Sequence, residues 1–206
     1  NDLSIMELLD LLTYPEDWIR LHAKLELKTR DADKVEASVG RWVQRQIPSD
    51  AQYVHNRLEA LWAMRAIDRL PLGLLYELCH SPEPRARAAA LRVVAENTAR
   101  IPRSFKLLSA AVTDDHPRVR LEAVRGLAQI PTSAAAESIV KALDHPVDRF
   151  LDFAIWQSMR DLQAYWYPAF SKGESMFNGN TEHIIFAVRA VDSPDAGQLL
   201  VRLVEG

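Results

Sequence analysis

The sequence lacks a second cysteine. Cys79 is the only thiol among 206 residues, which excludes an internal disulfide and a haem attachment of the Cys-x-x-Cys-His type, for Cys79-His80 stands alone. Its neighbours Leu74, Leu75 and Leu78 point to a buried thiol instead of a nucleophile. Also missing is an apolar run long enough to span a bilayer, so no direct membrane insertion is expected, and no signal peptide opens the chain. Charge of one sign is not in excess: 25 basic against 28 acidic residues sum to −3. Without a strongly basic stripe, no nucleic-acid partner is expected. No nucleophile elbow, phosphate loop, HExxH or Ser-His-Asp order occurs. Catalytic, cofactor-binding and metal-ligating residues are accordingly expected to be none.

What the chain does have is a repeat. An alanine returns in the same helical setting at Ala23, Ala60, Ala90, Ala123, Ala154 and Ala187, at intervals of 30 to 37 residues. Four of the six follow an arginine by three positions, at Arg20, Arg57, Arg87 and Arg120. A period of this length with no strand signal predicts an all-α fold, an α-α superhelix in which successive helical pairs bury their apolar faces on their neighbours. Five to six pairs are expected over residues 1–206 as one domain. Within a unit, Val119, Ala123, Leu127 and Ile130 make one apolar stripe, with the alanine in its middle so that two helix axes can approach.

The breaks between helices carry start signals. Pro15, Pro84, Pro117 and Pro146 fall near first helical positions, accompanied by Glu16, Asp17, Glu83, Asp114, Asp115, Asp144 and Asp148. The repeat arginines are expected to pair with such carboxylates, in their own or the next repeat, as a ladder. Helices are expected near 4–13, 16–29, 33–46, 51–69, 71–80, 84–97, 102–113, 117–130, 133–143, 147–166, 181–192 and 195–204. Residues 168–181 are read as irregular, with Pro168 to Ser171 a short helical turn and the polar run 172–180 a mobile loop. Ala196, Leu199, Leu200 and Leu203 form a final apolar stripe. Asn1 in place of Met reads as a piece of a longer, multi-domain protein.

Histidines and aromatics are the remaining chemistry. His80, His116 and His145 occupy equivalent turns, but repeats stacked about 10 Å apart hold them too far from one another to share an ion. His22, His55 and His183 lie in helices without ligand-like partners. Phe150, Phe153, Trp156, Tyr165, Trp166, Tyr167 and Phe170 crowd one stretch. Core packing is one reading of them; a docking patch for another domain is the other. Charges on the second helices, Arg92, Glu96, Glu122 and Arg125, are the candidate rim of a concave binding face or simply a solvated surface.

The segments Asp114-Asp115-His116-Pro117-Arg118-Val119-Arg120-Leu121-Glu122-Ala123 and Ser81-Pro82-Glu83-Pro84-Arg85-Ala86-Arg87 resemble HEAT repeats. Leu8 to Trp18, Leu58-Glu59-Ala60-Leu61-Trp62 and Leu143 to Asp152 further resemble the HEAT segment of a bacterial family of PVC-type haem-binding, or putative membrane-bound dehydrogenase-like, proteins. That resemblance covers most of residues 5–170. It implies an exported scaffold between a quinoprotein-like β-propeller and a cytochrome c domain, neither of which is in this chain. The function expected is therefore a non-catalytic scaffold for protein-protein or inter-domain docking. Two alternatives stand beside it: a free peptide-binding module, and a HEAT-fold enzyme similar to alkylpurine DNA glycosylases or bilin lyases, for which Asp152 and Trp156, one helical turn apart, are the candidate residues.

Overall fold

The structure, a computed structural model, describes residues 3–191 and 197. Asn1 and, apart from Gly197, the helix and stripe expected over 195–204 lie outside the described residues. Within them the chain is helical throughout, with no strand: α1 (Ile5–Asp10), α2 (Asp17–Lys28), α3 (Ala32–Gln44), α4 (Tyr53–Ala66), α5 (Leu72–Cys79), α6 (Pro84–Glu96), α7 (Ser104–Ala111), α8 (Pro117–Leu127), α9 (Ser133–Ile139), α10 (Arg149–Asp161), α11 (Gln163–Ser171) and α12 (Thr181–Arg189). Short 3₁₀ turns extend α1 over Leu11–Thr13 and α9 over Val140–Asp144, and a third spans Phe177–Gly179. This is the α-α solenoid class that the repeat predicts.

Local chemistry sets the helix starts. Ser4 and Glu7 form a reciprocal capping box on α1. Asp31, Thr132, Asp148 and Asn180 each accept amide hydrogens of the first turn that follows them. Pro84 and Pro117 sit at the first positions of α6 and α8, where a missing N–H costs nothing. Pro146 does not: α10 begins three residues later, because Asp148 takes the amides of Phe150 and Leu151 at 2.9 and 2.8 Å and so fixes the start.

Contacts group the chain into two compact units, residues 1–90 and 91–206, with the division inside α6. In the first unit α1 packs on α2 and α3, α2 and α3 pack on α4, and α4 packs on α5. Leu8, Leu9, Leu12, Leu27, Val35, Leu61 and Leu75 are among its fully buried side chains, with Ala23, Ala60 and Ala90 in the helix contacts. In the second, α8 packs against α7, α9 and α10, and α12 packs on α10 and the turn after α9. Leu108, Val119, Leu127, Ile139, Leu151, Ile155, Met159 and Trp166 fill this core around Ala123 and Ala187.

Ala154 departs from the pattern. It is only half-buried, and α10 turns Leu151, Ile155 and Met159 to the core instead. Leu151 stands where four of the other repeats place arginine, so the apolar stripe of α10 runs through that position. Another small residue escaped the repeat: a Cβ on Gly126 would lie 2.6 Å from Leu108 Cδ2 and 3.0 Å from the Ala95 methyl. Gly126 is thus a point of close approach between α8, α7 and α6.

The repeat arginines bind backbone carbonyls as well as carboxylates. Arg20 Nη1 donates to the carbonyls of Tyr14 and Pro15 at 2.6 and 2.8 Å. Arg87 Nη1 repeats this on Ser81 and Pro82 at 2.9 and 3.2 Å, and Arg120 Nη1 on Asp114 and Asp115 at 2.7 and 3.1 Å. In each case the acceptors lie six and five residues back, in the turn that precedes the helix. A turn leaves such carbonyls outside any helical ladder, and a guanidinium gathers two of them at once. Arg120 also reaches the next turn through Pro146 O at 2.5 Å. Carboxylate pairs occur at Arg20, with Asp17 and Glu59, and at Arg57, with Glu77.

One helix expected over 147–166 is two. α10 ends at Asp161 and α11 begins at Gln163, because the indole N–H of the buried Trp166 donates to Met159 O at 2.9 Å and takes an acceptor that a continuing helix would use. Pro168 then lies inside α11, which holds as a helix through Ser171.

Candidate functional site

Along the second unit, the outward faces of α6, α8 and α10 leave a groove of about 630 Å³. Ala95, Ala128 and Ala154 line it with small side chains, which keeps the space open. The four charges singled out in the sequence, Arg92, Glu96, Glu122 and Arg125, all line it, with Gln129, Gln157 and Asp161. Arg92 Nε meets Glu96 at 3.2 Å. Glu122 is almost fully buried, and its two oxygens take Arg118 at 2.9 Å and Arg125 at 3.3 Å. A buried carboxylate requires such pairing, and the pairing holds the two guanidinium groups at the surface. Gln157 Nε2 donates to Asp161 at 2.7 Å. The face therefore presents fixed donors and acceptors.

Phe153 gives the groove its apolar component. Its ring also lines the space, is 61% exposed, and stacks on Trp156 at 5.9 Å with the planes 29° apart. Arg160 lies over the other part of this cluster, 5.5 Å from the Trp156 ring. Phe150, equally exposed, carries Arg149 at 4.6 Å, and Tyr165 is half exposed.

The seven aromatics of the sequence patch thus divide. Phe150, Phe153, Trp156 and Tyr165 face outward in whole or part. Trp166 is wholly buried and belongs to the core, not to any docking surface. It meets Tyr167 and Phe177 edge-on at 5.7 and 5.4 Å and Phe170 at 6.1 Å. Its hydrogen bond to Met159 explains the difference, since an indole buried in an apolar site needs a partner for its N–H.

The polar run 172–180 is anchored at its far end. Met176 and Phe177 are buried, Phe177 N donates to Glu137 at 3.3 Å, and Asn180 caps α12. Phe177, Asn178 and Gly179 take left-handed φ values of 55°, 51° and 68° in succession, a tight coil that turns the Phe177 ring in under Trp166. Beside it a smaller cavity of about 250 Å³ is lined by Glu137, Lys141, Asp144, Asn178 and His183. His183, expected to lie in a helix without ligand-like partners, is buried and meets the single carboxylate of Asp144 at 2.8 Å. Their separation of 39 positions concealed the pair from sequence reasoning.

The other candidates are placed as follows. His116 accepts the Arg118 amide at 3.2 Å and His80 Nδ1 lies 2.7 Å from Tyr76 O, so both serve local backbone. No group of three His, Cys, Asp or Glu residues that could hold a metal ion occurs among the described residues. Asp152 is exposed on α10, and neither it nor Trp156 lines the groove. Burial pushes the Cys79 thiol up to about 12, so at neutral pH it is protonated.

Three comparisons bear on this geometry. Residues 70–160 match a family model described as HEAT repeats. Two crystal structures of engineered proteins, both solved by the Northeast Structural Genomics Consortium, are similar along the whole chain at 19% identity. One gives a TM-score of 0.51 with 98% of its own chain covered, the other 0.45 with 96% covered. No curated protein matches the sequence. At this identity the first structural likeness speaks to fold alone. The chain is an α-α solenoid whose residues 70–160, the stretch that builds most of the groove, are similar to HEAT repeats.

Proposed function

We propose that this chain is a non-catalytic scaffold that docks another protein or domain along the groove of α6, α8 and α10. The observation that carries the reading is the groove's mixed surface: Glu122 fixing Arg118 and Arg125, with the exposed Phe153 ring beside them. Solenoids of stacked helical pairs use extended faces of this kind to bind proteins, and an exposed aromatic next to arginine is the composition of an interface centre. Phe150 and Tyr165 extend the apolar edge. The resemblance of residues 5–170 to the PVC-type HEAT segment supports a tethered occupant, a quinoprotein-like propeller or cytochrome c domain of the same exported polypeptide. A free peptide on the same face is the untethered form of the same reading.

The test is capture of the separately produced neighbouring domains by this chain, with Phe153→Ala and Arg92→Glu as variants. Deleting 150–170 is unsuitable, because Leu151, Ile155, Met159 and Trp166 in that stretch are core. Both substitutions sit on exposed side chains and leave the circular dichroism unchanged. Specific capture that falls at least tenfold in both variants is the expected result, about 1.4 kcal/mol at each contact. Capture unaffected by either substitution would refute the groove as the docking site.

A further inference from the structure

At the other end of the chain, α2 carries an apolar stripe that its own unit does not cover. Trp18, Leu21 and Leu25 recur at spacings of three and four, and they are 64%, 53% and 51% exposed. The remaining faces of α2 are occupied: Ala23 and Leu27 are buried in the core, and Arg20 and Lys24 both bind the Glu59 carboxylate of α4. Spacing of this kind is the seam of a two-helix contact. His22 stands edge-on to Trp18 at 6.2 Å and flanks the stripe.

The charge order along α2 selects the occupant. Glu16 lies at its N-terminus and Lys28 at its C-terminus, both exposed, while Asp17 beside Glu16 is held by Arg20. A parallel copy would bring like charges together. An antiparallel copy would place each acidic end on the other's basic end and set the helix dipoles in opposition. We infer that α2 is a homodimer interface, in which two copies of this chain pair antiparallel about a two-fold axis near Leu21. Trp18 of one copy then packs on Leu25 of the other, and Lys28 of each faces Glu16 of the other. Such an isologous contact closes on itself and needs no third copy. One helix pair is a small interface, so the dimer is weak, with a Kd of about 10–100 μM.

Sedimentation of the whole chain across the micromolar range tests this. The expected result is a reversible monomer–dimer equilibrium, lost in Leu21→Glu and in Leu25→Glu with unchanged circular dichroism. Glu16→Lys and Lys28→Glu each break both symmetry-related pairs and weaken it about fivefold, the effect of two weak exposed charge pairs, and the double variant restores it. Three results would overturn the inference: a monomer at every concentration, a dimer that survives Leu21→Glu, or a charge reversal that its complement does not rescue. Because Glu16 is exposed and makes no capping bond through its side chain, the charge variants leave the fold intact.

Discussion

Arginine at the repeat positions is a structural residue, and Arg120 shows why. It is 2% exposed, yet it holds three backbone carbonyls: Asp114 and Asp115 of its own turn, and Pro146 of the next. Each is a charge-assisted bond in a buried setting, and losing the guanidinium leaves three acceptors unpaired. Arg120→Met is expected to cost about 2–4 kcal/mol in urea unfolding. Arg92→Met breaks the pair with Glu96, which is exposed on both sides, and is expected to cost less than about 1 kcal/mol. Equal losses from the two substitutions would contradict the buried tie. In the sequence the arginine period and its carboxylate partners were visible, but the carbonyl acceptors were not, because backbone carbonyls carry no residue signature. The same holds for Gly126, whose need for a bare Cα arises from Leu108 and Ala95 on two other helices.

Among elements, α1 has a start that pH controls. The Ser4 hydroxyl and amide both donate to Glu7 Oε2 at 2.7 Å, and these bonds hold the Glu7 carboxyl below its ordinary value of 4.5. The sign follows from that direction. A depressed folded value means that the capping bonds contribute fully above about pH 4.5 and are lost as pH falls through the lowered value. An NMR titration of Glu7 is expected to show a midpoint below 4.5, with the Ser4 amide shifting in step, and Ser4→Ala, which removes the hydroxyl but keeps the amide, should raise the midpoint part of the way towards 4.5. A Glu7 midpoint insensitive to Ser4→Ala would remove the capping box as its cause. Boundaries of this kind were readable because capping is local chemistry. Where a distant residue intervened, they were not: Trp166 breaks the predicted 147–166 helix through a carbonyl seven residues back. Phe177 likewise turns a stretch that reads as a polar, glycine-containing loop into an anchored coil.

For the molecule as a whole, net charge separates the docking reading from the DNA-repair one. A chain of net charge −3 and pI about 6.1 has no overall excess of cations with which to displace counterions from a duplex, and the arginines of the groove are matched by Glu96, Glu122 and Asp161. No measurable DNA retention is expected even at low salt. Retention with a steep salt dependence would revive the glycosylase-like alternative.

Repeat period, helix starts and the small residue at the helix contact were determined by the sequence itself, since each depends on neighbours within one or two helical turns. An apolar stripe interrupted every thirty-odd residues by proline and acid admits little besides stacked helical pairs. Tertiary structure alone decided which exposed groups converge. It turned Phe153 into the groove and Trp166 into the core from the same aromatic run, joined His183 to Asp144, and set Glu122 between two arginines. These choices depend on how a helix is rotated against its neighbours. That rotation is fixed by the fit of many side chains across the contact, a quantity that no single segment contains.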